Sequence, residues 1–318
     1  MTTTALAVVV VGTFLWRLSA GSTGDRSNIF TDCLRNCSTE QECSKLTVSS
    51  EYMLMSAWRY DQCVSECQYS CMWITVDVFR EQLGVVPQFF GKWPFVRLLG
   101  IQEPASVLFS LANLYSFVQL LLTTRALPRS APYRSVWTGY AWVGIVTWCA
   151  SILFHTKDTS LTEKLDYFSA FGAILYGLFA CLARTLLGPT PSRCSILTIA
   201  LPCLAYFAYH VHFLAYIIFD YGYNMRANIF CGALTSVVWL VWVSWESFKF
   251  ARWKELWPCA ATVLLGDLFL LLEVFDFPPI FWSLDAHALW HLSTAPLPLL
   301  WAKFVANDCL YMRKMKLL

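Results

Sequence analysis

Seven mostly apolar stretches, each close to twenty residues long, dominate this chain: about 104–124, 136–155, 166–184, 195–218, 226–245, 257–275 and 286–306. A helix of roughly 20 residues spans the ~30 Å of bilayer hydrocarbon. Within lipid every backbone N–H and C=O must be satisfied inside the segment, so such runs fold as helices. The gaps carry punctuation: Pro128 and Pro132 in the first, Pro189 and Pro191 in the third, Pro278 and Pro279 in the sixth. The expected fold is an all-α membrane protein, a seven-transmembrane helix bundle over 104–306 with a cytosolic tail at 307–318. Charged residues make up only 14% of the 318-residue chain, against about 25% in soluble domains. The net charge of +2 gives no case for a nucleic-acid partner. Fifteen Trp and fourteen Tyr, many at the ends of apolar runs, suit the aromatic belts of a membrane protein.

The N-terminal part reads differently. Residues 1–20 form a short apolar stretch ending Leu18-Ser19-Ala20, as in a secretory signal peptide. The missing basic n-region leaves an uncleaved signal anchor as the alternative. Six of the thirteen cysteines fall between Cys33 and Cys71. An even set after a signal sequence suggests a disulfide-rich lumenal domain, here 21–103, stapled by three bridges. Cys63, Cys67 and Cys71 repeat every four residues, as on one helix face. Six cysteines allow fifteen pairings and the spacing selects none; a zinc cluster is the rival reading. Asn36-Cys37-Ser38 is a glycosylation sequon. The other seven cysteines read as apolar core residues.

Basic residues fix an orientation. The first, third and fifth gaps and the tail hold eleven Lys and Arg, among them Arg125, Arg184, Lys249 and Arg313; the alternate gaps hold Lys157, Lys164 and Arg226. The basic side is expected in the cytosol and the N-terminal domain in the lumen. The ending Lys314-Met-Lys316-Leu-Leu resembles a dilysine retrieval signal of early secretory membranes, with plain positive-inside charge as the alternative.

Topology then gathers chemistry. The chain has five histidines, two of them in His287-Ala-Leu-Trp-His291. Positions i and i+4 share a helix face about 6 Å apart along the axis, which lets one helix offer two imidazoles to one metal. The seventh stretch starts in the lumen, the second ends there with Ser151 and His155, and the third opens there with Asp166. Ionisable residues within membrane spans are candidate functional residues. Three neutral imidazoles (His155, His287, His291) suit Zn²⁺ with a fourth position for water, whose pKa the ion lowers toward roughly 7. Asp166 would orient or deprotonate the water, and Ser151 would donate to a developing oxyanion. A Ser-His-Asp triad is the rival reading; Ser151 lacks a Gly-x-Ser-x-Gly elbow, and a triad leaves the histidine pair unexplained. His210 and His212 point to different helix faces and read as interfacial. Asp267, in the middle of the sixth stretch, either lines a cavity or is structurally paired.

The pattern Ser151-Ile-Leu-Phe-His155, Asp166 and His287-Ala-Leu-Trp-His291 resembles the CREST superfamily of seven-helix membrane hydrolases, which includes alkaline ceramidases and the adiponectin-receptor group. Longer strings resemble the Per1-like family: Gln88-Phe-Phe-Gly-Lys-Trp-Pro-Phe95, Gln102-Glu-Pro-Ala-Ser106, Phe154-His-Thr-Lys-Asp-Thr159 and Phe219-Asp-Tyr-Gly-Tyr-Asn224. That resemblance implies a Golgi enzyme that remodels GPI anchors, and the dilysine-like ending adds an expectation of cycling through the endoplasmic reticulum. It would hydrolyse the sn-2 acyl ester of GPI phosphatidylinositol in a zinc-dependent, phospholipase A2-type reaction, with GPI-anchored proteins as partners and substrates. The alternatives are a ceramidase-like amidase and a non-catalytic GPI-protein chaperone or receptor.

Overall fold

The computed structural model describes residues 22–41, 43 and 53–317. The expected signal peptide at 1–20 lies outside them. Ten α-helices account for most of the described chain, which divides into two units.

In the first unit (residues up to Val96, together with Phe277–Asp285), α1 (Asn28–Glu40) and α2 (Met53–Leu83) form an antiparallel pair. Ser27 caps α1 by accepting from the Phe30 N–H at 3.2 Å. Three nested disulfides cross the pair: Cys33–Cys71, Cys37–Cys67 and Cys43–Cys63. Cys33 and Cys37 in α1 and Cys63, Cys67 and Cys71 in α2 are each one turn apart, which makes this a ladder; Cys43, past the end of α1, carries the rung nearest the connection. The three-disulfide expectation is met, and among fifteen pairings the antiparallel nesting is the one formed. Phe30, Cys71, Val76 and Phe89 build a small core. Gly24 approaches so closely that a Cβ there would lie 2.6 Å from the Gln88 carbonyl oxygen. The 277–285 segment belongs here: Trp282 meets Trp73 edge-to-face at 5.0 Å and accepts from the Val96 N–H.

The second unit (Arg97–Asp276 with the chain from Ala286 onward) holds the long apolar helices. These are α3 (Pro104–Ala126), α4 (Arg134–Thr156), α5 (Ser160–Leu186), α6 (Arg193–His212, ending in a π turn, Phe213–Ile217), α7 (Tyr221–Phe250) and α8 (Trp253–Val274). Six spans are long and apolar enough to cross a membrane, one for each of these helices. Pro104 opens α3 where its missing N–H costs nothing, a Thr159/Thr162 capping box opens α5, and Asp220 caps α7.

The seventh apolar stretch is not one helix, and this corrects the expectation. It forms α9 (Ala286–Thr294) and α10 (Leu297–Leu317). Pro296 has no N–H to return to Leu292, whose carbonyl instead accepts from Ala295 at 3.3 Å in a tight turn. The His291 carbonyl is taken by the Asn113 amide at 2.7 Å. Nine residues make α9 too short to span, and α10 carries Lys303, Asp308, Arg313 and Lys314. The tail expected at 307–318 is, as far as Leu317, the last part of α10.

Neighbouring helices pack in the order α3, α4, α5, α7, α8, α10 and back to α3, closing a ring; α9 packs on α3 and α8, and α6 packs mainly on α5 while its C-terminal end reaches α7 through His210. The ring's two ends differ in chemistry. At one end Trp137, Trp239, Trp301 and Phe304 form an aromatic core, with the Trp137–Trp301 centroids 5.9 Å apart. Beside it Asp308, 1% exposed, pairs with both Arg184 and Arg252, and Arg252 reaches Glu246 at 2.7 Å. Burial pushes the Tyr133 phenol up to about 12 against the lowering pull of Arg184. It therefore stays a neutral donor to the Leu187 and Gly188 carbonyls. The other end carries the histidines.

Of the seven unbridged cysteines, Cys181, Cys231, Cys259 and Cys309 are buried as expected, whereas Cys149 and Cys194 are exposed. His210 is not interfacial: it is fully buried, stacked on Phe171 at 3.8 Å and paired with Asn224, while His212 is exposed. Asp267 lies on the exposed stripe of α8 with Leu264, Leu268 and Leu271, and accepts from Ser236 at 2.8 Å.

Candidate functional site

His155 stands in the last turn of α4, His287 and His291 in consecutive turns of α9. One nitrogen from each of the three rings lies within 4.8 Å of the others. The His155 ring centroid is 5.3 Å from that of His287 and 5.1 Å from that of His291. Trp148 of α4 packs edge-on to His291 at 5.1 Å, and His155 and His291 are each 2% exposed.

The outer nitrogen of each ring is engaged. Glu103 Oε2 lies 2.6 Å from His155 Nδ1, Glu273 Oε1 2.6 Å from His287 Nδ1, and Ser110 Oγ 3.1 Å from His291 Nδ1. A carboxylate only accepts, so we assign the proton of His155 and of His287 to Nδ1, leaving Nε2 as a lone pair. His155 Nε2 is buried with no hydrogen-bond partner. His287 Nε2 and His291 Nε2 face each other at 2.9 Å. Imidazoles whose inner nitrogens converge and whose outer nitrogens are held by two carboxylates and a hydroxyl have the donor set of a metal site. The residues present therefore fit a divalent metal bound by three histidines.

Packing brings the outer groups to their rings. The chain turns before α3 so that the Glu103 N–H bonds the His155 carbonyl at 3.0 Å, and the Gln102 N–H bonds that of Thr156. Glu273 ends α8, directly beneath α9 in the packing order. Ser151, one turn before His155 and 4% exposed, bonds Ser110 Oγ at 3.0 Å. Asp166 stands half-buried in the second turn of α5 and is not among the three converging ligands. Reading the chain alone misses Glu103, Ser110 and Glu273 as partners of the histidines. The one local signal is a polar residue within, or bordering, an apolar run.

A family model, the Per1-like family, matches residues 52–309. The chain belongs to the Per1-like family. It is 42% identical over 304 residues to a GPI-specific phospholipase A2-like PGAP3 of Bos taurus, covering 93% of this chain and 92% of the relative. The Homo sapiens protein of the same name is 40% identical over the same shares. A Drosophila melanogaster relative, post-GPI attachment to proteins factor 3, is 36% identical over 94% of this chain and 93% of its own. No solved structure matches. Glu103, Ser110, Ser151, His155, Asp166, Glu273, His287 and His291 all lie inside the stretch this Per1-like chain shares with its family.

Proposed function

We propose that this protein hydrolyses the sn-2 acyl ester of the phosphatidylinositol of GPI anchors, with a zinc ion held by His155, His287 and His291. The observation that carries the reading is the set of three imidazoles with converging nitrogens, two of them buried and His287 partly so; the relatives named for GPI phospholipase A2-like activity supply the substrate class. When bound, zinc supplies Lewis acidity and a lowered pKa for its water.

The chain's own residues do the rest. Glu103 and Glu273 hold their imidazoles in the ligating tautomer. The Ser151 hydroxyl donates to the carbonyl oxygen of the ester as negative charge develops there. The Asp166 carboxylate takes a proton from the attacking water and returns it to the glycerol oxygen as the C–O bond breaks, releasing a fatty acid and a lysolipid.

The same reading counts seven crossings, with α9 and α10 together as the seventh. The 21–103 segment and the histidine end of the ring face the lumen of the Golgi, with some cycling through the endoplasmic reticulum. There the site meets the leaflet in which GPI lipids reside. The test is anchor acyl composition by mass spectrometry in cells lacking the native protein. Re-expression of the natural chain converts the sn-2 position, and His291→Ala at equal expression does not. If His291→Ala restores remodelling while substitutions in the disulfide hairpin abolish it, the protein is a GPI-protein chaperone or receptor instead.

A further inference from the structure

Ser110 sits on α3, a helix that gave no site residue in the sequence. It is fully buried, and its hydroxyl touches two site residues at once: His291 Nδ1 at 3.1 Å and Ser151 Oγ at 3.0 Å. All three side chains are more than nine-tenths buried, so bulk water does not take over these bonds.

Counting hydrogens gives the chain a direction. With His291 Nε2 turned to the ligand cluster, its Nδ1 carries the proton and donates to Ser110 Oγ. The Ser110 hydroxyl must then place its own proton on another acceptor, and Ser151 Oγ is at hand. Ser151 becomes an acceptor on that side, and its own proton is left to point elsewhere. The opposite sense, Ser151 donating to Ser110, would have Ser110 Oγ accept from both neighbours and leave its own proton with no acceptor among these groups. Asn113, one turn along α3, holds the His291 carbonyl at 2.7 Å and fixes the backbone that carries the ring. Two successive turns of α3 thus set both the ring and the main chain of His291.

We infer that Ser110 is a positioning residue: it locks His291 in its metal-binding tautomer and, through the same hydroxyl, turns Ser151 into a hydrogen-bond donor toward the substrate. The inference rests on the metal-hydrolase reading above. It separates Ser110 from Glu103 and Glu273, which each serve one ring, because Ser110 couples the metal ligand to the group proposed to meet the oxyanion.

The test uses the full-length protein purified in detergent, with two readouts: zinc affinity by competition with a chromophoric chelator, and sn-2 release from GPI phosphatidylinositol. Loss of an outer hydrogen-bond partner typically costs 10–100-fold in metal affinity or activity. Ser110→Ala is expected to weaken zinc about tenfold or more and, at saturating zinc, still to slow hydrolysis. Ser151→Ala is expected to slow hydrolysis with zinc affinity unchanged. The double variant at saturating zinc is expected to be no slower than Ser151→Ala, because the two act in series. Ser110→Thr, which keeps the hydroxyl, recovers zinc affinity. Zinc affinity in Ser110→Ala equal to that of the natural chain, or a double variant slowed by the product of the single effects, overturns the relay. If instead His291→Ala binds zinc and hydrolyses normally, the metal-hydrolase reading itself has failed, a result distinct from failure of the relay.

Discussion

His287 Nε2 and His291 Nε2 face each other at 2.9 Å, while the Nδ1 of each ring is engaged on its far side, by Glu273 and Ser110. With protons on both Nδ1 atoms, two lone pairs confront one another in a partly buried place. A third, on His155, stands nearby with no partner. Nearby buried acceptors without a donor are costly, and a shared cation removes the conflict. The three nitrogens are placed so that they could hold one metal ion.

The protein is accordingly expected to purify with one tightly held transition metal per chain. Inductively coupled plasma mass spectrometry of the natural chain, of His155→Ala and of His291→Ala checks this. The natural chain should approach one equivalent of zinc, and each variant should fall well below half.

Glu273 makes the sharper test of the supporting layer. Glu273→Gln keeps the size and an acceptor oxygen but removes the charge that holds the His287 proton on Nδ1. Zinc affinity should fall about tenfold, with the thermal transition of the chelator-treated protein little changed. An unchanged affinity would mean that the carboxylate serves packing alone.

At the other end of the ring, Asp308 pairs with Arg184 and shares Arg252 with Glu246. Asp308→Asn leaves a buried guanidinium without its counter-charge. Breaking such a pair costs about 3–5 kcal/mol, so the variant should unfold at a clearly lower temperature in a detergent thermal-shift assay. Zinc affinity measured below that transition should stay intact, because the two clusters sit at opposite ends of the helices.

Non-reducing peptide mapping should recover Cys33–Cys71, Cys37–Cys67 and Cys43–Cys63. Removing the middle rung with the double change Cys37→Ser and Cys67→Ser leaves the outer and inner bridges in place and frees only the short ring between them. The loss should be about 2–3 kcal/mol of local stability on the chain-entropy scale. Limited proteolysis of the full chain should then cleave between α1 and α2 sooner.

The sequence made some of this legible and hid the rest for physical reasons. His155, His287 and His291 could be brought together because helical periodicity puts i and i+4 on one face and alternating crossings bring every second helix end to the same side. Glu103 and Ser110 escaped because their role depends on which helices are neighbours, and periodicity within one helix carries nothing about its neighbours. Ser110 in particular is one small polar residue in an apolar run, where it looks like any packing serine. The disulfide pairing needed the direction in which α2 returns along α1. The break in the seventh stretch was visible in Pro296, but a hydropathy average passes over a missing N–H. His210 was misplaced for a related cause: its fit against Phe171 and Asn224 comes from α5 and α7, not from its own helix.

The most direct test of the central claim is hydrolysis by the purified full-length protein, using a GPI phosphatidylinositol with distinguishable sn-1 and sn-2 chains. The expected result is release of the sn-2 fatty acid alone, abolished by a strong chelator, restored by added zinc and absent in His291→Ala. Release that persists after complete metal removal, or that is as fast in His291→Ala as in the natural chain, would contradict the account.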